Sequence, residues 1–353
     1  MITAIQIPHS KPQLGNAEVA ALTEVLESNH IAQGPRVAAF ERAMADFVGV
    51  SGGVAVSSGT AALYLALQAL GVGQDDEVIM PSYVCAAPWV AATRLGAKSI
   101  IVDIEPGTFA IDPACVQAAL SPKTRAIVVP HMFGLPADLQ RLRTFGVPLV
   151  EDCAQTLGAT QMGAQVGSVG DVAVCSFFAT KLLCAGEGGM VLSHDESILE
   201  KVRNCREFDE KAQLSADSFN FKMTDLQASL GLCQLMRLDM ALVRRVALAE
   251  RYTSALSGFS VGLPFTPKDR THIFYRYVLS VTQPLDDLLS RLQNQGIQCR
   301  RPIYRPLHHY AQLQGRYPVS EQAFASALSL PIYPSLTDEE SDMIVQVLSK
   351  ELN

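Results

Sequence analysis

At 353 residues the chain exceeds the size at which one hydrophobic core usually stops growing, which predicts a large domain plus a smaller one. Hydrophobic residues make up 48% and charged residues 18%, a balance that excludes disorder and suits a compact enzyme. A formal charge of −7 with no Lys/Arg block argues against a nucleic-acid partner, and the longest apolar runs are too short to span a membrane.

The opening stretch, "MITAIQIPHSKPQLG", lacks a basic segment followed by a long apolar run, so a cytoplasmic location is expected. From about residue 50 to 195, β-like runs alternate with helical ones. The strands are "GGVAVSS", "DEVIMPS", "KSIIVDI", "RAIVVPH", "PLVEDCA", "DVAVCSFF" and "GGMVLS"; the helices include "TAALYLALQAL", "DPACVQAAL" and "PADLQRLRTFG". This is the pattern of an α/β fold with a mainly parallel seven-stranded sheet covered by helices. A helix-rich stretch follows, in which Thr224 and Gln227 predict a capping box. A smaller α+β segment closes the chain, with the strand "FYRYVLSV", the helix "LDDLLSRLQNQG" and a last helix capped by Thr337 and Glu340. The large domain is placed at 1–245 and the small C-terminal domain at 246–353, with the first residues able to pack on the latter.

Eight cysteines are scattered with no C-x-x-C pair and mostly apolar neighbours, so buried reduced thiols are expected. No histidine spacing suggests a metal, and none is expected.

Three strand ends carry chemistry, and in open α/β sheets ligands bind outside the carboxyl ends of strands. "VSSGTAAL" places Gly59 and Thr60 before a helix beginning near Ala61, whose unpaired N–H groups and positive dipole end suit a phosphate. "PLVEDCAQTLGA" delivers Asp152 to the same edge, with Gln155 three residues on. "SFFATKLLCAGEGGMVLS" sets Ser176 five residues before Lys181, followed by a glycine cluster that permits a tight backbone. Each has an ordinary reading as turn, cap or exposed charge. Together they supply what pyridoxal 5′-phosphate needs: a phosphate cradle, a carboxylate for the pyridine nitrogen and a lysine for the aldehyde.

The chain resembles the DegT-type nucleotide-sugar aminotransferases, fold-type I pyridoxal-phosphate enzymes of the aspartate aminotransferase superfamily. The likeness runs from "GNAEVAALTEVLESNHIAQGPRVAAFERAMADFVG" through "SSGTAALYLALQALGVGQDDEVIMPSY", "EDCAQTLGA", "SFFATKLLCAGEGGMV" and "FNFKMTDLQASLGLCQL" to "RRPIYRPLHHY" and "LSLPIYPSLTDEE". The resemblance implies that Lys181 is the residue bonded to the cofactor and the base of the reaction. Asp152 would keep the pyridine nitrogen protonated, Gln155 would bond the phenolic oxygen, and Thr60, the Ala61 backbone and Ser176 would bind the phosphate. Asn220 would reach the cofactor phosphate of a neighbouring subunit, implying a homodimer with shared sites. The substrates implied are an amino acid, L-glutamate by analogy, and a keto sugar carried on a nucleotide.

Three positions depart from the family pattern. Cys85 stands where an aromatic ring often stacks on the cofactor, flanked by Tyr83 and Trp89; Leu182 stands where Asn commonly follows the lysine; Lys222 replaces a frequent Arg. Arg300, Arg301, Tyr304, Arg305 and His308 are candidates for the nucleotide's diphosphate, against a reading as a solvated loop. His131 is either a wall of the site or a satisfied core histidine. A sugar dehydratase of this fold would replace Lys181 by histidine. A lyase would fit "GPRVAAF" and "NFKMTDLQA" poorly, and a non-catalytic regulator would be expected to lose Lys181 or Asp152.

Overall fold

The computed structural model describes residues 6–209, 217–313 and 315–352. The seven predicted β runs form one sheet. Its strands are β1 (Gly52–Val56), β2 (Glu77–Pro81), β3 (Lys98–Val102), β4 (Thr124–Pro130) and β5 (Leu149–Asp152), then β8 (Val172–Ser176) and β9 (Gly189–Ser193) after a short hairpin of β6 (Thr160–Gln161) and β7 (Ala164–Gln165). The order across the sheet is β1-β9-β8-β5-β4-β2-β3. Only β9 runs against its neighbours; the remaining strands are parallel. Helices cover both faces, so successive strand residues point into different cores: Val54 and Val56 pack with Ala62 and Leu65, whereas Ala55 packs with Phe40 and Met44.

Local chemistry sets the helix ends. Ser58 caps the helix Gly59–Ala69, Asp112 caps Pro113–Ala119, and both predicted capping boxes form, at Thr224/Gln227 and Thr337/Glu340. The expected helix in "PADLQRLRTFG" is shorter than its pattern, Leu139–Arg143, because Asp138 caps it late and the chain turns out through Gly146 at φ +66°. Asp225, at the start of Asp225–Leu235, accepts from the N–H groups of Arg36 (3.2 Å) and Val37 (2.9 Å) and so caps the helix Pro35–Val48 from outside.

The strand expected in "FYRYVLSV" is cut to β10 (Tyr277–Ser280), which pairs antiparallel with β11 (Ala327–Leu330). The preceding residues bond elsewhere: Ile273 N–H donates to Gly134 O (2.9 Å) and Arg276 N–H to Phe133 O (3.1 Å). Gly134, at φ +103°, permits this clasp, since a Cβ there would lie 2.7 Å from the Tyr275 nitrogen. The helix Leu238–Leu256 serves two cores. Leu238 and Leu242 pack below the sheet, while Leu248, Ala249, Tyr252 and Leu256 join β10, β11, Ile7 and the helices Leu285–Asn294 and Asp338–Leu352.

One polar cluster anchors the middle of the sheet. Glu151, fully buried, accepts from the N–H groups of Gly167 (2.8 Å), Val169 (2.9 Å) and Gly170, and from His131 Nε2 (3.0 Å). Ala137 N–H donates to His131 Nδ1 (3.0 Å), so the ring proton resides on Nε2. His131 is therefore a satisfied core histidine. Burial alone would raise the Glu151 pKa, but the His131 hydrogen bond and the backbone donors outweigh it and hold the carboxyl below its ordinary value. A depressed folded-state pKa gives stability that is present above the unfolded value of ~4.3 and lost as pH falls through the folded one. Glu151→Gln should flatten the acid limb of stability against pH, and Glu151→Ala should lower the unfolding free energy by about 3–5 kcal/mol in urea titrations.

Candidate active site

The carboxyl ends of β1, β5 and β8 and the start of β9 meet at one edge. There a cavity of about 230 Å³ is lined by Ser58, Gly59, Thr60, Cys85, Asp152, Ser176 and Lys181, with Phe178 and Glu187 at its side. Two glycines make this convergence possible. A Cβ on Gly59 would lie 2.7 Å from Ser176 Cβ, and one on Gly189 would collide with the Ser58 carbonyl. Only bare backbone lets the first turn of Gly59–Ala69 sit against the ends of β8 and β9. The first N–H groups of that helix, at Gly59 and Thr60, have no intrahelical partner, and with the positive end of the dipole they suit an anion.

Asp152 lies on the floor, 7% exposed, with a single donor, the Ala154 N–H at 3.0 Å. Burial pushes its carboxyl pKa up, against the opposing effects of that donor, Lys181 and His131. Gln155 Oε1 accepts from Phe133 N–H (3.1 Å), which leaves its NH₂ as the end free to donate. Lys181 Nζ stands 5.4 Å from the centre of the Tyr275 ring. Burial would raise that phenol, but Lys181, Arg276, a Thr180 hydrogen bond and Arg245 prevail, and its pKa falls below the ordinary value. Tyr275 was not anticipated. Its "FYRY" setting reads as strand, and only the clasp to Gly134 swings it to the lysine.

Cys85, unlike most of the thiols, opens to the cleft; its recessed position and the Asp152 charge push its pKa up. Its flanking rings are spent elsewhere: Tyr83 is buried against Phe109 and Phe133, and Trp89 stacks on Tyr310. Leu182 packs on the core beneath the sheet.

Several expected contacts fall outside the cleft. The Ala61 N–H is already taken by Ser58 Oγ (3.1 Å). His308 is 2% exposed and uses both ring nitrogens, on Ser82 Oγ and on Glu321 (2.9 Å), so within this chain it is a packed histidine rather than a substrate contact. Lys222 Nζ is paired with Asp209. Arg301 donates to the Phe324 carbonyl and to Asp286. Asn220, Tyr304 and Arg305 are exposed and do not line the cavity.

A glycine-lined anion cradle, an under-satisfied buried carboxylate and a lysine between them accommodate a phosphorylated pyridine aldehyde. On a doubly covered, mainly parallel sheet, they define the fold-type I pyridoxal-phosphate enzymes. The model of the DegT/DnrJ/EryC1/StrS aminotransferase family matches residues 12–349, and the chain belongs to that family. It is 32% identical to the GDP-perosamine synthase of Caulobacter vibrioides, over 98% of each chain. The aminotransferase TlmJ from Streptoalloteichus hindustanus superposes with a TM-score of 0.94 at 33% identity, covering 98% of each chain. The Streptococcus pneumoniae protein Spr1654, assigned as a sugar aminotransferase, superposes in its PLP form with a TM-score of 0.92 at 28% identity, over 99% of this chain and 100% of that one. The protein is thus a pyridoxal-phosphate-dependent aminotransferase of the nucleotide-sugar type.

An acid whose pKa is raised by folding costs stability once pH climbs above its unfolded value, ~3.9 for Asp. Asp152→Asn should therefore stabilise the cofactor-free protein at neutral pH, by about 1–3 kcal/mol, while abolishing transamination. Thermal melts of both apoproteins at pH 7 and pH 4 check this; the gap should shrink at the lower pH.

Proposed function

We propose that this protein transfers the amino group of L-glutamate to the keto group of a nucleotide-linked sugar, in making amino sugars for cell-surface polysaccharide. The observation that carries the reading is the meeting of Lys181, Asp152, Ser176 and the Gly59–Thr60 turn in one cavity. Gly59, Thr60 and Ser176 hold the phosphate at the dipole end of the helix. Asp152 would hold the proton on the pyridine nitrogen, and the NH₂ of Gln155 would donate to the phenolic oxygen. When bound, pyridoxal phosphate supplies an aldehyde and a protonated ring that draws electrons from the reacting carbon. Lys181 Nζ takes the proton from the α-carbon of the donor and later returns one to the sugar carbon that receives nitrogen. Cys85, which lines the cavity, would offer the ring a thiol in place of a stacking aromatic.

The enzyme acts as a homodimer. In support, Asn220 is exposed outside the lining of its own cleft, on a segment that also exposes Phe219 (63%), a surface suited to burial against a second copy. From there Asn220 reaches the partner's cofactor phosphate, and Tyr304 and Arg305 reach its nucleotide. Eight unpaired thiols suit the cytoplasm, and among the described residues no helix is long and apolar enough to cross a membrane.

The purified protein should be yellow and should bleach with glutamate; a colourless protein that takes up no pyridoxal phosphate would sink the reading. Lys181→Ala should retain the folded state yet lose roughly 10³-fold or more in turnover with a keto sugar nucleotide and glutamate. Continued turnover by that variant would show another base at work.

A further inference from the structure

A second cavity of about 210 Å³ has Tyr275 in its wall, together with His9, Ser10, Thr180, Arg245, Arg276 and Arg300. Its wall contains three arginines and no acidic residue, although the chain as a whole carries a net charge of −7. None of the three makes an ion pair among the described residues.

Their roles differ. Arg245 is buried and donates to the carbonyls of Phe274 (3.3 Å), Tyr275 (3.2 Å) and Ile332 (3.0 Å), so it holds the backbone that carries Tyr275 and Arg276. Burial lowers its pKa to about 10. Arg276 lies 5.3 Å from the Tyr275 ring centre and reaches His9 Nε2 (3.1 Å), leaving most of its fork open. His9 is already engaged by Ser329 Oγ (2.9 Å). Burial first, then Arg276, Arg300 and Arg245, lower its pKa to about 3, so it stays neutral and offers no countercharge. Arg300 has only its backbone engaged, with Ser329, and its side chain is exposed at the mouth.

Clustered guanidinium groups repel one another, and leaving them without a carboxylate in a half-enclosed cavity is costly unless an anion completes them. Lys181 Nζ and the Arg276 guanidinium lie 5.4 and 5.3 Å from the centre of the same tyrosine ring, which places the cavity beside the reacting amine. The space has room for a planar carboxylate, which arginine forks bind in two-pronged fashion.

We propose that this cavity seats the side-chain carboxylate of a dicarboxylic amino donor, held by Arg276 and Arg300 with the hydroxyls of Ser10 and Thr180 beside them. The assignment rests on the aminotransferase reading and adds to it the residues that select the donor. It leaves the sugar nucleotide to the opposite, cradle side of the lysine.

The test is calorimetric titration of the holoenzyme with glutarate, a dicarboxylate with neither an amino nor a keto group, and separately with inorganic pyrophosphate. Wild type, Arg276→Gln, Arg300→Gln and the double variant are compared, each first shown to fold by its melting curve. Glutarate should bind the wild type, weaken by roughly tenfold or more in each single variant and vanish in the double, with pyrophosphate unaffected. In steady state, KM for glutamate should rise by a similar factor while KM for the sugar nucleotide holds. No glutarate binding to the wild type, or equal binding by all four proteins, would overturn the proposal. So would loss of pyrophosphate affinity instead, which would assign the cavity to the phosphates of the nucleotide. Colour separates the two levels: if the aminotransferase reading fails, no form takes up pyridoxal phosphate, whereas if only this inference fails all four remain yellow.

Discussion

The arrangement at the sheet edge depends on a carboxylate entirely removed from water. Glu151 stays ionised because three backbone N–H groups and one imidazole N–H converge on it. Those bonds tie the loop before β8 and the residue after β4 to the end of β5, and His131 N–H returns to Asp152 O at 3.1 Å. The neighbouring carboxylate is treated in the opposite way. Asp152 has one donor among the described residues and a raised pKa, and it opens to the cavity. Two adjacent acids thus differ, one saturated within the fold, the other under-satisfied at the cavity.

Close packing of backbone is the second requirement. The turn Ser58–Gly59 passes so near Ser176 and Gly189 that a single added methyl would part the strands. The glycines after Lys181 therefore act less as a flexible hinge than as a place where three chain segments touch. Lys181 is aimed at the cradle by that contact and by its own backbone bond to Phe178 O (2.8 Å).

Charge is distributed across the cleft in a way the net balance hides. The cradle offers backbone donors and a dipole, the floor an acid, and the Tyr275 side unpaired arginines. Lys181 and Tyr275 occupy the boundary between them, and the lowered phenol pKa records how strongly positive that boundary is.

Most of the fold was legible in the sequence. The seven strands and the caps at Asp112, Thr224 and Thr337 depend on neighbours a few residues away, so apolar periodicity and turn chemistry reveal them. That Lys181, Asp152, Ser176 and the Gly59–Thr60 turn would meet was also readable, because each sits at a strand end and a parallel sheet brings such ends to one edge. What local pattern could not convey was partnership over long separations. His308 reads as a loop side chain until Ser82 and Glu321 take its nitrogens, and the Ala61 N–H looks free until Ser58 caps it. Tyr275, Arg276 and His9 carry no signal of their own: "FYRY" alternates like a strand, and its ladder bonds go instead to a loop 140 residues earlier, at Phe133 and Gly134. The sequence by itself determined the elements and the reactive set at the sheet edge, since both follow from short-range periodicity. Which groups remained free to act was decided only by tertiary structure, because a hydrogen bond or an ion pair is spent or spare according to what folding places opposite it.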